Sequence, residues 1–142
     1  MRNFAHVPDE RLEWQPVAGA KSALRVAAHT ALYDGRFVAM IRERRLLTPD
    51  DIDDWVARCE AEEAEVATRA QVERVFREGT AEEFAALDGL SPDDLSLTLG
   101  SGQGWEMPMS DLIELPGWHA TLHTGQIDYL QTCWGDHQIY LG

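Results

Sequence analysis

Basic residues are scarce in this chain. It has 12 Lys and Arg against 25 Asp and Glu, a formal net charge of −13 over 142 residues. A field of that sign repels phosphate backbones, so nucleic acid is not an expected partner. An anionic membrane surface is disfavoured for the same reason. Long apolar runs are missing too: nothing approaches the ~20 residues that span a bilayer. The opening ten residues hold no apolar signal core and are already acidic at Asp9-Glu10, so a cytoplasmic location is the expectation. Cysteine is sparse. Cys59 and Cys133 do not make a disulfide framework. Both fall in predicted helices and read as small buried apolar residues. Cys133 follows His123 by ten residues, ~15 Å along a continuous helix, too far to share an ion with it.

What is present fits one helical domain over residues 1–142 with a real core, at 44% hydrophobic content. Before Pro8 there is room only for a stub of helix, and Leu12-Glu13-Trp14-Gln15-Pro16 reads as extended chain. A long helix is predicted over Lys21–Arg45, capped near Ser22. Val26, His29, Tyr33, Phe37 and Met40 form its apolar stripe, and Ala27, Ala28 and Ala31 are small enough to admit another helix. Thr48-Pro49-Asp50-Asp51 starts a second helix running to about Arg77. Ile52, Trp55, Val56, Cys59, Val66 and Ala70 mark its buried face. Of the acids crowding its middle, Glu60, Glu62 and Glu65 read as solvated, whereas Glu63 leans toward the buried stripe.

Thr80-Ala81-Glu82-Glu83 has the capping-box pattern and predicts a short helix, Ala81 to Leu87; Ser91-Pro92-Asp93-Asp94 starts another turn. The period then changes to two. Leu95, Leu97 and Leu99, and after them Trp105, Met107 and Met109, alternate with other residues around Gly100-Ser101-Gly102-Gln103-Gly104, which predicts a β-hairpin. No Gly-Lys-Ser/Thr follows, so the loop is not a phosphate loop. The last helix opens at Ser110 or Asp111 and runs to about Trp134, with a kink or a restart at Pro116-Gly117. Asp136 to Gly142 is a tail, and His6 and His137 read as surface residues.

The last helix carries His119 and His123, four apart and therefore stacked on one face. Two imidazoles so placed can grip zinc, nickel, copper or iron. The zinc-protease motif H-E-x-x-H shares the spacing, but Ala120 stands where its Glu would be, so that motif's base is absent. Taken alone, the pair reads as one core histidine and one facing solvent. His29 changes the weighing, because a second helix then offers a third imidazole.

Trp14-Gln15-Pro16, Lys21-Ser22 seven residues before His29-Thr30, His119-x-x-x-His123-Thr124-Gly125-Gln126-Ile127-x-Tyr129-Leu130 and the trailing Gly135-Asp136 together resemble the DinB/YfiT-like family of metal-dependent enzymes, from about Pro8 to Asp136. The resemblance implies an all-α four-helix bundle, here with a shortened first helix and a small β-hairpin before the last helix. It implies a metal between the second and last helices, with His29, His119 and His123 as ligands. Three neutral imidazoles leave a position open for water or substrate, as catalytic sites do; zinc or nickel both fit. Relatives include thiol-dependent transferases and isomerases that use a low-molecular-weight thiol, and the family often forms homodimers, which would cover the groove left by the short first helix. The first expectation is thus a transferase acting on a small-molecule substrate, with hydrolysis as the runner-up. Tyr33 and Gln126, each one turn after a ligand, are candidates to orient substrate or a ligand; Glu63 is the candidate base or supporting acid. The alternatives are a non-catalytic metal-binding stress-response protein and a helical dimer whose histidines merely pack. A pocket beside the ion lined by Tyr33, Phe37, Met40 or Trp118 would favour catalysis.

Overall fold

The computed structural model describes residues 2–48, 50 and 52–140. The predicted helix start at Pro49 and Asp51, the side chain of Ile52 and the last two residues of the tail lie outside that set. The fold is mostly helical with one small sheet. A stub, α1 (Arg2–Ala5), buries Phe4 and, just beyond it, Val7. The guanidinium of Arg69 donates to the carbonyls of Phe4 and Val7 and to Asp9, tying this segment down.

The central element is α2 (Ala23–Glu43), and the predicted Ser22 cap is in place: its hydroxyl accepts from the Arg25 amide. Ala27, Ala28 and Ala31 are fully buried, which lets a neighbouring backbone approach closely. α3 (Ile52–Glu65) and α4 (Arg69–Asp88) come next, and here the sequence reading is corrected. The helix expected to run to Arg77 breaks at 66–68. The separate helix expected at Ala81 is the second half of α4. The cap that matters is Thr68, whose hydroxyl accepts from the Gln71 amide while Gln71 Oε1 accepts from the Ala67 amide. The Thr80 pattern goes unused because α4 continues through it, packing Val72, Val75, Phe76 and Ala86 inward. The break also shifts the helical phase beyond it, so Ala70, expected inside, is exposed; Val56 on α3, also expected inside, is 42% exposed.

The hairpin is real but shorter than predicted. β1 (Thr98–Gly100) pairs antiparallel with β2 (Glu106–Pro108), with Leu99 opposite Met107. Leu95 sits in a preceding 3-10 turn, and both it and Leu97 are exposed. α5 (Met109–Leu112) buries both its ends, and α6 (Leu115–Cys133) restarts the chain with Pro116 in its first turn. Cys59 is buried as expected, but Cys133 is exposed, because the inward face at the end of α6 is Ile127, Leu130 and Gln131. α2, α3, α4 and α6 are the four long helices, with α2 packed against the other three. Among the described residues no helix is long and apolar enough to cross a membrane.

Candidate metal centre

His29 comes from α2, and His119 and His123 come from α6. Helix packing brings the three rings together although up to 94 positions separate them in sequence (123 − 29). The Nε2 atoms of His29 and His119 lie 3.3 Å apart, and those of His119 and His123 3.0 Å apart. One ligand atom from each ring falls within 4.8 Å of both others. An ion bound tetrahedrally at ~2.0–2.1 Å would space its ligands by about 3.3 Å, so the two measured separations match a shared ion.

The donor chemistry fits as well. His29 Nδ1 lies 2.6 Å from Glu63 Oε1, and His123 Nδ1 lies 2.7 Å from Gln126 Oε1. A carboxylate and an amide oxygen only accept, so each Nδ1 carries the proton and each Nε2 turns a lone pair inward. His119 differs. Its Nδ1 is buried with no hydrogen-bond partner among the described residues. That ring is held by packing instead: Tyr33 stacks on it at 4.8 Å and Phe37 meets it edge-on at 5.5 Å. Burial, helped by the neighbouring His123 and His29, pulls the His119 pKa down to about 4. Burial also lowers that of His123. Both are therefore uncharged at neutral pH, the form that binds a metal.

Glu63 is where the sequence reading leaned, on the buried side of α3 with Cys59 and Val66. It is 3% exposed. Its second oxygen accepts from Lys21, the chain's only lysine, at 2.5 Å. Arg25 donates to its backbone carbonyl. Burial alone would raise the Glu63 pKa, but the hydrogen bonds from His29 and Lys21 and the Lys21 charge outweigh it and hold the carboxylate below its usual range. Sequence reasoning gave Lys21 no role; its place one turn before Arg25 and two before His29 was the available signal.

Tyr33 lies against His29 at 4.3 Å as well as against His119. Burial, then the nearby Cys59, keeps its phenol protonated. It also forms one wall of a cavity of about 610 Å³ that Met40 lines too. The other two expected wall residues are elsewhere: Phe37 is buried behind His119, and Trp118 faces solvent at 63% exposure. Trp118 sits one position before His119 on α6, so it points off the histidine face. His6 stacks on Tyr140 at the surface and His137 is exposed, both apart from the cluster.

With this geometry in place, comparison with known proteins gives one match: residues 2–127 fit the family described as the DinB superfamily. No curated protein and no solved structure matches the chain.

Proposed function

We propose that this chain, which belongs to the DinB superfamily, is a metal-dependent enzyme acting on a small molecule, with a divalent zinc or nickel ion held by His29, His119 and His123. The observation that carries this reading is the pair of occupied Nδ1 atoms. Glu63 takes that of His29 and Gln126 that of His123, so both Nε2 lone pairs are committed to one point. Three imidazoles leave at least one position of a four-coordinate ion for substrate or water. A divalent ion there would lower the pKa of a bound thiol or water enough to make a nucleophile at neutral pH.

The protein's own side chains hold and aim. Lys21 and Glu63 orient His29, Gln126 orients His123, and Tyr33 packs the rings from the cavity side. One observation favours thiol-dependent transfer over hydrolysis. Hydrolysis gains most from a general base, and among the described residues the buried carboxylate beside the cluster, Glu63, is already taken by Lys21 and His29. A low-molecular-weight thiol is intrinsically far more acidic than water, so the ion alone ionises it more readily.

The homodimer belongs to the same proposal. Trp118, Leu122 and Tyr129 are 63%, 48% and 68% exposed on one uncharged stripe of α6. Gly125 lies midway with nothing within 4 Å of where a Cβ would be. Two copies of α6 crossing at Gly125 would bury that stripe. Sedimentation should give a dimer that Leu122→Glu converts to monomer; a native monomer at high concentration contradicts it.

For the metal, the test is ion content of untagged protein purified without chelator. The expected result is about one zinc or nickel per chain, absent from His29→Ala. A native protein that takes up neither ion overturns the reading.

A further inference from the structure

We propose that the cavity beside the histidines is a binding site for a flat, uncharged aromatic group, and that this group belongs to the substrate. The assignment to substrate rests on the metal-enzyme reading; the binding itself does not. The cavity's volume, about 610 Å³, is in the range that takes a small organic molecule. Its walls bring together distant parts of the chain, among them Tyr33, Arg36 and Met40 on α2, Trp55 on α3, and Trp105 and Met107 on the hairpin. Aromatic faces and thioethers are polarisable, adaptable surfaces suited to a planar group.

Charge selects against an anionic occupant. Asp50 in the wall repels an anion, and the wall's cation, Arg36, is already held by Glu62 at 2.6 Å. Its guanidinium lies over the rings of Tyr33, at 4.6 Å, and Trp55, at 5.9 Å. It therefore closes one end of the cavity as part of a neutral stack. Trp105 is 47% exposed and Leu47 is 39% exposed, and both line this space. Large apolar side chains left uncovered around one concavity mark a binding surface. The location is also specific. Tyr33 lines the cavity and its ring also lies against the imidazoles, 4.3 Å from His29 and stacked 4.8 Å from His119 at an interplanar angle of 28°. A bound aromatic group would lie against the same ring that packs on the imidazoles.

The test uses the uncharged fluorescent probe N-phenyl-1-naphthylamine, titrated into the metal-free chain and read by energy transfer from tryptophan. One probe per chain is expected. Met107→Glu, which puts a charge in the wall, and Trp105→Ala, which trims an exposed side chain without touching the core, should each weaken binding about tenfold or more. Phe84→Glu, at an exposed position of α4 outside the cavity lining, should leave it unchanged. In competition, 2-naphthol should displace the probe at a concentration about a hundredfold below ethanol. Binding unaffected by both cavity variants overturns the proposal, and so does displacement by ethanol as effective as by 2-naphthol. The two readings separate cleanly. His29→Ala protein that loses zinc yet binds the probe normally upholds the cavity whatever becomes of the metal. Native protein that binds zinc and not the probe overturns the cavity alone.

Discussion

Two carboxylates are buried against opposite sides of α2, Glu63 from α3 and Asp34 from α2 itself, each 3% exposed. Burial is the same and the outcome is opposite. Glu63 is held below the usual carboxylate range by its bonds to His29 and Lys21. Burial, then repulsion from Glu83, pushes Asp34 up to about 7, with only a long 3.4 Å bond from Thr80 to offset it. Partners, not depth, decide whether a buried acid is charged. The charged one supports a histidine at the candidate metal centre. The neutral one fills the seam where α4 crosses α2, opposite Gly79, whose missing side chain gives Asp34 its space.

Breaking the charged side should have the larger effect at the candidate metal centre. Glu63→Ala frees His29 Nδ1 and should cost about 2–3 kcal/mol of stability and 10–100-fold in zinc affinity, read by chemical denaturation and by competition with a chelating dye. Glu63→Gln, which still accepts from His29, should recover part of the affinity; no difference between the two variants would remove the orienting role.

The neutral side has a pH signature. Unfolded Asp34 titrates near 3.8 and folded Asp34 near 7. Between those values the folded state keeps a proton that the unfolded state has released, so this residue's contribution falls as pH rises from about 4 to 7 and is level above. Asp34→Asn should therefore stabilise the protein by about 4 kcal/mol at pH 8 and by almost nothing near pH 4. Melting curves at the two pH values check this, and an equal effect at both would show that Asp34 is not held neutral. Gly79→Ala would set a Cβ 2.9 Å from that of Asp34. Overpacking should exceed the gain in helix propensity and leave a net loss of about 1 kcal/mol by denaturation. The smallest change is at the exposed partner. Gln126→Ala removes the bond to His123 Nδ1, which solvent can replace, and should lower zinc affinity by only about threefold.

Much of the site was legible in the sequence because it lies on regular helices. His29 falls in the apolar stripe of α2 and Glu63 on the inward side of α3, and a period of 3.6 places both. The Ser22 cap and the Pro116 restart follow from local backbone chemistry. The break at 66–68 was not legible, because Thr68 and Thr80 each open a plausible capping sequence. α4 runs unbroken through Thr80 past the close crossing of Gly79 and Asp34, a contact between residues 45 positions apart (79 − 34) that local sequence does not reveal. The exposure of Cys133 and Trp118 escaped for a related reason: α6 is apolar on more than one face, so periodicity alone does not say which face is covered. The cavity was hidden most deeply, since its walls meet only when the hairpin folds over α2 and α3.

The central claim is that three imidazoles share one ion and leave a position open. X-ray absorption at the zinc edge, on protein loaded with one equivalent of zinc, tests it most directly. The account predicts three imidazole nitrogens at about 2.0–2.1 Å with one further light-atom ligand, and replacement of that ligand by sulfur at about 2.3 Å when a small thiol is added. A shell with two imidazoles or fewer, or one that is full and does not change with thiol, would contradict it.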